Sequence, residues 1–379
     1  MRRLPEKFSN SDENPLEIHL ENKYSFTINI EVIDEIPVQF QKRDFKKKLS
    51  VPGNGSRSFT YLLRPVRRGE YFFGKLHLFS STKLGMAKRR SSWEDRQMVK
   101  VYPSLIQMKK YALLTIDNRI PAPGLKKIRK IGHTMEFEQI KDYVHGDDIR
   151  TINWKATAKH GEFMVNQFQD ERSQPVYSII DTGRTMKMPF RQMSLLDYAI
   201  NSSLAFSNIA IKKKDRVGLM TFSEKGGKMI SPNSKASHLN ILLEQLYNTE
   251  TEFLDTDFAL LYAEIKRKIT QRSLLMLYTN FEHISGLQRQ LPFLKAIAKK
   301  HLLVVIFFEN TELEAMVNTP ADSIPQIFDQ VVAEQLSFEK RLMVKELQKN
   351  GIQTILTPPE DLSINTINKY LEIKRRGIL

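Results

Sequence analysis

Apolar and polar residues alternate through the first hundred positions of the chain. LEIHL (16–20), SFTINIEVI (25–33), RSFTYLLRPV (57–66), EYFFGKLHLFS (70–80) and QMVKVYP (97–103) are short runs in which apolar residues recur at about every second position, the period of a half-buried strand. VPGNGS (51–56) and RRGEY (67–71) separate them with Pro and Gly turn signals. Regular short strands with no helical pattern between them predict an immunoglobulin-like β-sandwich over residues 15–103, with residues 1–14 as an N-terminal tail.

The period changes at Pro175. PVYSIID (175–181), RVGLMTF (216–222), RSLLMLYTN (272–280), HLLVVIFFE (301–309) and IQTILTP (352–358) are continuous apolar runs of strand length. The segments between and after them, such as SLLDYAINSSLAFSNIAIKK (194–213), DFALLYAEIKRKI (257–269) and PQIFDQVVAEQLSFEKRLMVKELQKNG (325–351), have helical spacing. This alternation predicts a Rossmann-like, doubly wound α/β domain over residues 175–379, its mostly parallel sheet covered on both faces. Residues 104–174 are left as a connector. It holds a helical piece, the Pro- and Gly-bearing RIPAPGLKKIRKIG (119–132), and the polar stretch DYVHGDDIRTINWKATAKHGEFMVNQF (142–168).

Composition sharpens this picture. A chain of 379 residues is long for one core, and 41% apolar with 27% charged residues is a soluble globular balance. The absence of cysteine removes disulfides, thiolate catalysis and cysteine-based metal sites. A formal charge of +15 invites nucleic acid or an anionic membrane. The basic residues, however, fall in separate clusters: KRDFKKK (42–48), KKIRK (126–130), KKK (212–214) and KRR (374–376). No aromatic RNA-binding signature, zinc finger or basic arm accompanies them, so no nucleic-acid partner is expected. Solvated faces, or attraction to an acidic membrane surface or partner, account for the charge. The longest apolar run, LLVVIFF (302–308), falls far short of the roughly 18–20 residues that span a bilayer. MRRLPEKFSNSDENP lacks the apolar core of a signal peptide, so the chain as it stands reads as soluble.

Ligands of doubly wound sheets bind at the carboxyl ends of the strands. The turn after the first strand reads DTGRTM (181–186), and neither GxGxxG nor GxxxxGK[ST] occurs, so nucleotide binding by either route is not expected. A strand ending in Asp and followed by a Thr/Gly turn resembles the von Willebrand factor type A domain. Its metal-ion-dependent adhesion site uses D-x-S-x-S there, a Thr from a later loop and an Asp after the fourth strand. The resemblance implies a degenerate Mg²⁺ site of Asp181, Thr185, Thr256 in FLDTDFAL and Asn280 in LYTNFE. Gly183 replaces the first hydroxyl, and Asn280 stands where the second Asp is usual. Hydroxyls and carboxylates suit Mg²⁺, which keeps waters and an open position. The alternative is that Asp181 caps the following helix or pairs with a nearby base.

EFEQIKDYVHGDDIRTINWKATAKHGEFMVNQFQDER (136–172) resembles the signature of the bacterial domain-of-unknown-function family 58. Glu136, Phe137, Tyr143, Gly146, Asp147, Asp148, Arg150, Ile152, Trp154, Ala158 and Lys159 fall on its pattern, and Asn153 stands where Asp is common. RPVRRGEYFFGKLHLFSSTKLGMAKR (64–89) and the DTGRTM turn extend the likeness over the chain from about residue 15. The resemblance implies a protein tethered by two transmembrane helices, which this chain lacks, with its soluble part on the cytoplasmic side. Arg2 and Arg3 would then follow the second helix and obey the positive-inside rule. It also implies a MoxR-type AAA+ ATPase partner in a chaperone-like assembly system, with the α/β domain as adaptor.

The residues alone leave three readings of the polar stretch open. His145, Asp147 and His160 could ligate the metal of a hydrolase, or His160 and Asp148 form an acid–base pair, although the spacing is not a recognised ligand pattern and no GxSxG occurs. The stretch could instead be a structural latch. Gly146 would then make a tight turn, Asp147 and Asp148 accept backbone N–H groups, Arg150 pair with a carboxylate, and Trp154 bury its ring against the α/β sheet. The third reading is a surface that recognises a protein, with Trp and Arg as its anchors. The leading expectation is a non-enzymatic interaction protein whose docking face holds Asp181, Thr185 and the Asp147–Trp154 segment.

Overall fold

The computed structural model describes residues 1–42, 44–82, 87–94, 97–104, 136–144, 147, 149–169, 173–191, 193–251, 253–320 and 323–378. The helical piece and the Pro/Gly link expected over 105–135 lie outside these.

Ten strands build the first unit: β1 (Arg2–Arg3), β2 (Lys7–Ser9), β3 (Asn14–Glu21), β4 (Ile28–Asp34), β5 (Lys46–Val51), β6 (Ser56–Leu63), β7 (Gly69–Phe72), β8 (Leu76–Ser81), β9 (Lys88–Trp93) and β10 (Met98–Tyr102). They form sheets ordered β1-β3-β6, β2-β10-β7 and β5-β4-β8-β9. Leu16, Ile18 and Leu20, alternate residues of β3, join Val32, Val51, Leu63, Tyr71 and Val101 in one core. The expected tail is not a tail. Phe8 is 0% exposed in that core, and β2 pairs parallel to β10. The Arg2 guanidinium is buried, pairs with Asp34 and lies over the Phe73 ring. Tyr61 donates its hydroxyl to the same carboxylate. A charged residue that is buried because its counter-charge arrives from a distant strand leaves no apolar period to read.

A hairpin follows, β11 (Glu136–Asp142) antiparallel to β12 (Met164–Gln169), with α1 (Trp154–His160) between its strands.

The second unit contains β13 (Pro175–Asp181), the small hairpin β14 (Pro189–Phe190) and β15 (Met193–Ser194), and α2 (Leu195–Lys212). It continues with β16 (Arg216–Phe222), β17 (Met229–Asn233), α3 (His238–Leu246), α4 (Phe258–Lys268) and β18 (Leu274–Tyr278). It closes with α5 (Ile284–Ala298), β19 (Leu302–Phe308), α6 (Thr311–Asn318), α7 (Ile324–Lys349), β20 (Gln353–Thr357) and α8 (Leu362–Arg376). The sheet runs β17-β16-β13-β18-β19-β20, parallel except at the β17 edge. This is the doubly wound, mostly parallel sheet that the apolar runs predict. All seven residues of β13 are buried, and successive ones serve opposite faces. Val176 and Ile180 pack with α2, α3 and α8, whereas Tyr177 and Ile179 pack with α4, α5 and the end of α7. Strand order reverses at β13, so the end of that strand is the topological switch point. Asp181 occupies it.

The two units meet through a set of polar contacts, the most heavily bonded of which is one guanidinium. Arg68, in the turn before β7, donates Nε to Asp197 Oδ1 at 2.7 Å and its terminal nitrogens to the carbonyls of Leu246 and Thr249. Asp197 is also the third residue of the capping box that starts α2 from Ser194. Beside this clamp, Ser104 N donates to Asn201 Oδ1 at 2.9 Å, and Tyr102 donates its hydroxyl to Glu244.

Removing Arg68 takes the counter-charge from a nearly buried carboxylate and one donor from each of two carbonyls. Arg68→Ala is expected to lower unfolding free energy by about 3 kcal/mol in urea titrations, and Arg68→Lys to restore under half of it, because an ammonium cannot reproduce the planar fork. A loss below about 0.5 kcal/mol in the alanine variant would show that the clamp is dispensable.

Candidate functional site

At the switch point the Asp181 carboxylate is buried and fully engaged. Its Oδ1 accepts from Gly183 N at 2.8 Å and from Thr256 Oγ1 at 3.0 Å. Its Oδ2 accepts from Thr279 Oγ1 at 2.7 Å and from Thr256 Oγ1 at 3.2 Å. Desolvation dominates and pushes its pKa up to about 6. The hydrogen bonds from Thr279, Gly183 and Thr256 oppose that rise, and the nearby Asp255 charge adds to it.

The four residues implied for Mg²⁺ do not converge into a donor set that fits it. Asp181 and Thr256 do meet, and Thr279 joins them. Thr185 lies in the same turn, with a buried hydroxyl that finds no partner among the described residues. Asn280 gives its Oδ1 to the ammonium of Lys340, which reaches in from α7 at 2.8 Å. Gly183 holds its place by space: a Cβ there would stand 2.7 Å from Thr256 Oγ1 and 3.0 Å from Asp181 Oδ1. A hard dication needs several oxygen lone pairs in near-octahedral array. Here one carboxylate is taken up by three donor residues, and the amide oxygen already faces a cation. The bond from Gly183 N instead makes Asp181 the residue that fixes the short 3-10 turn Arg184–Lys187. Sequence reading missed Thr279 and Lys340. Thr279 was visible beside Asn280, whereas Lys340 lies 60 positions further along and carried no local signal.

The signature hairpin is organised by small polar contacts. Asp147 Oδ2 accepts from Val144 N, and its Oδ1 from Lys141 Nζ, each at 3.0 Å. The backbone N–H first, and then Lys141, hold its carboxyl below the ordinary carboxylate range. This is the turn role expected of it. Asn153 caps α1 by accepting from Ala156 N at 3.0 Å, and its Nδ2 donates to Asn166 Oδ1 of β12 at 2.8 Å. An Asp could cap the helix but could not donate to Asn166. Gly161 ends α1 at φ 79°, in the left-handed region.

Trp154 overturns the expectation that its ring is buried against the α/β sheet. It is 67% exposed, and its described ring contact is an edge-on one with Phe163 of its own hairpin. Phe163 in turn meets Tyr143 edge-on. The Asn153 cap and the β11–β12 pairing fix α1 as a short outward shelf, and Trp154 is its first residue. Val144, Ile149 and Phe163 are also exposed. Arg150, Lys159 and His160 lie on the surface. His145, Gly146 and Asp148 lie outside the described residues. Among the described residues no three His, Asp or Glu side chains gather closely enough to hold a metal.

The raised pKa of Asp181 has a definite sign. Between pH about 6 and the ordinary 3.8 the folded state holds a proton that the unfolded chain releases. Its contribution to stability is therefore present below about pH 4 and lost as pH rises through 6. The stability of the wild type relative to Asp181→Asn should increase on going from pH 7 to 4, by at most about 3 kcal/mol. Urea unfolding of both proteins across that range measures it, and a difference that stays flat contradicts the assignment.

The uncharacterized protein YeaD of Bacillus subtilis (strain 168) is 24% identical over 126 residues, covering 33% of this chain and 31% of its own length. The chain thus spans under a third of that relative. Among solved structures, the SpRpn10 VWA domain aligns with 52% of this chain and 95% of its own at 10% identity and a TM-score of 0.32. The PapD-like domain 7 of human CEP192 aligns with 27% of this chain and 82% of its own at 11% identity and a TM-score of 0.19. The model of the family described as "Protein of unknown function DUF58" matches residues 139–340, from the signature hairpin into α7. That match takes in more than half of the sequence, and the chain belongs to the DUF58 family.

Proposed function

We propose that the chain is a non-enzymatic adaptor that docks onto a protein partner through its signature hairpin. The observation that carries this reading is the aromatic shelf of Trp154, Phe163 and Tyr143, with Val144 and Ile149 exposed beside it. Large apolar side chains clustered in water mark interaction sites, and Trp and Arg are the residue types most enriched in binding hot spots. Arg150, Lys155 and Lys159 are exposed on the same hairpin, as are Asp142 and Glu162, so charged residues accompany the shelf.

The first half of α7 presents a second apolar face, with Ile324, Ile327, Phe328 and Val331 exposed at helical spacing. Two separate faces suit a protein that bridges a driver and a client. A MoxR-type AAA+ ATPase is the partner that the family likeness favours, with the β unit read as an immunoglobulin-like spacer. The site of action would be the cytoplasmic side of a membrane. Among the described residues no helix is long and apolar enough to cross one.

Capture of the purified ATPase by the immobilised chain tests the assignment. Trp154→Ala and Phe163→Ala should each weaken capture by about 30-fold, a hot-spot loss, with unfolding curves unchanged. Trp93→Ala, at an exposed ring on β9, should leave it intact. Equal capture by all four proteins would remove the hairpin from the interface.

A further inference from the structure

A cavity of about 350 Å³ opens between α7 and the carboxyl ends of β18 and β19, separate from the hairpin. Met188, Phe190, Leu195, Phe308, Leu313 and Leu336 give it apolar walls, and Asn280 and Lys340 form its polar end. It has the volume of a small ligand site, at the low end of roughly 300–1,000 Å³. It also lies on the sheet edge where doubly wound folds bind ligands.

Lys340 sets the chemistry. Its Nζ donates to Asn280 Oδ1 and to the Phe281 carbonyl, and it lies 5.8 Å from the centre of the Phe307 ring. An ammonium has three N–H donors, and among the described residues no acceptor takes the third. Nor does any described carboxylate pair with it at salt-bridge distance. The other charged or titratable groups lining the cavity are Glu282, His283 and Arg341, all exposed, and the half-buried Glu309. Burial pushes the ammonium down to about 8, and the Glu282 charge holds it up only in part. A half-buried cation at the end of an apolar cavity, with two neutral oxygens as its partners, has a donor left that an incoming anion can take. The apolar walls restrict that anion to one with a single compact charge and a greasy body.

We propose that this cavity binds an apolar monocarboxylate, its carboxylate accepting from Lys340 and its hydrocarbon body lying against Phe190, Phe308, Leu313 and Leu336. A free fatty or aryl acid and a polypeptide C-terminus ending in an apolar residue share this chemistry.

Calorimetry on the full chain at pH 7 tests it with two acids, octanoate and an acetylated hexapeptide ending in a free Leu carboxylate. Their neutral counterparts are octanol and the Leu-amide peptide. At least one acid should bind, and at least 10-fold more tightly than its neutral counterpart. Octanoate alone would assign a free acid, and the peptide would assign a chain terminus. Lys340→Met should weaken that acid at least 10-fold. Leu313→Trp, which fills the cavity but leaves the lysine, should weaken it as strongly. Affinity should fall as pH rises through 8 to 9 and Lys340 loses its proton. The proposal is overturned if neither acid binds the wild type, if the neutral counterparts bind as tightly, or if both variants retain wild-type affinity.

Discussion

The guanidinium of Arg68 makes three of the hydrogen bonds between the β unit and the α/β unit, and Ser104, Tyr102 and Lys100 add others beside it. Arg68 meets Asp197 in the first turn of α2 and the Leu246 and Thr249 carbonyls where α3 ends. It thus supplies positive charge to a helix-capping carboxylate and donors to the last carbonyl of α3 and to one just beyond it. α2 lies against the central strand of the sheet, so the same contact that joins the units also fixes the helix that covers β13. A residue that serves two helix ends and a unit boundary together cannot be replaced by a charge of the same sign with a different shape.

The carboxyl edge of the sheet shows how burial treats opposite charges. Asp181 is buried and Lys340 half-buried, and each is drawn toward its neutral form, the acid upward and the base downward. Adjacent residues after β18 serve them: Thr279 donates to the carboxylate and Asn280 accepts from the ammonium. An Asp at position 280 would pair with Lys340 and cancel its charge. The amide leaves the ammonium hydrogen-bonded and still positive.

The α/β unit was legible because its central strands are continuous, mostly apolar runs and its helices amphipathic. PVYSIID needs no partner to declare itself a central strand, and the DTGRTM turn at its end follows. The signature was legible as a pattern, and Asp147 behaves as its turn chemistry suggests. Features that depend on residues far apart in sequence were hidden. Arg2 reads as a surface charge until Asp34 is beside it, and Arg68 reads as a turn residue until Asp197 is found 129 positions away. Trp154 was misread because a large ring suggests burial, while a seven-residue helix on a narrow hairpin has little inside in which to bury it.

The tight space at Gly183 constrains how this chain could change. Adding a serine to complete an adhesion-type motif would bring its Cβ against Thr256 and Asp181 before its hydroxyl reached anything useful. The Thr256 hydroxyl would have to turn away from Asp181 to make room, which removes one of the hydrogen bonds that hold the carboxylate. Moving this fold toward metal binding by that route therefore loosens the one carboxylate the metal would need.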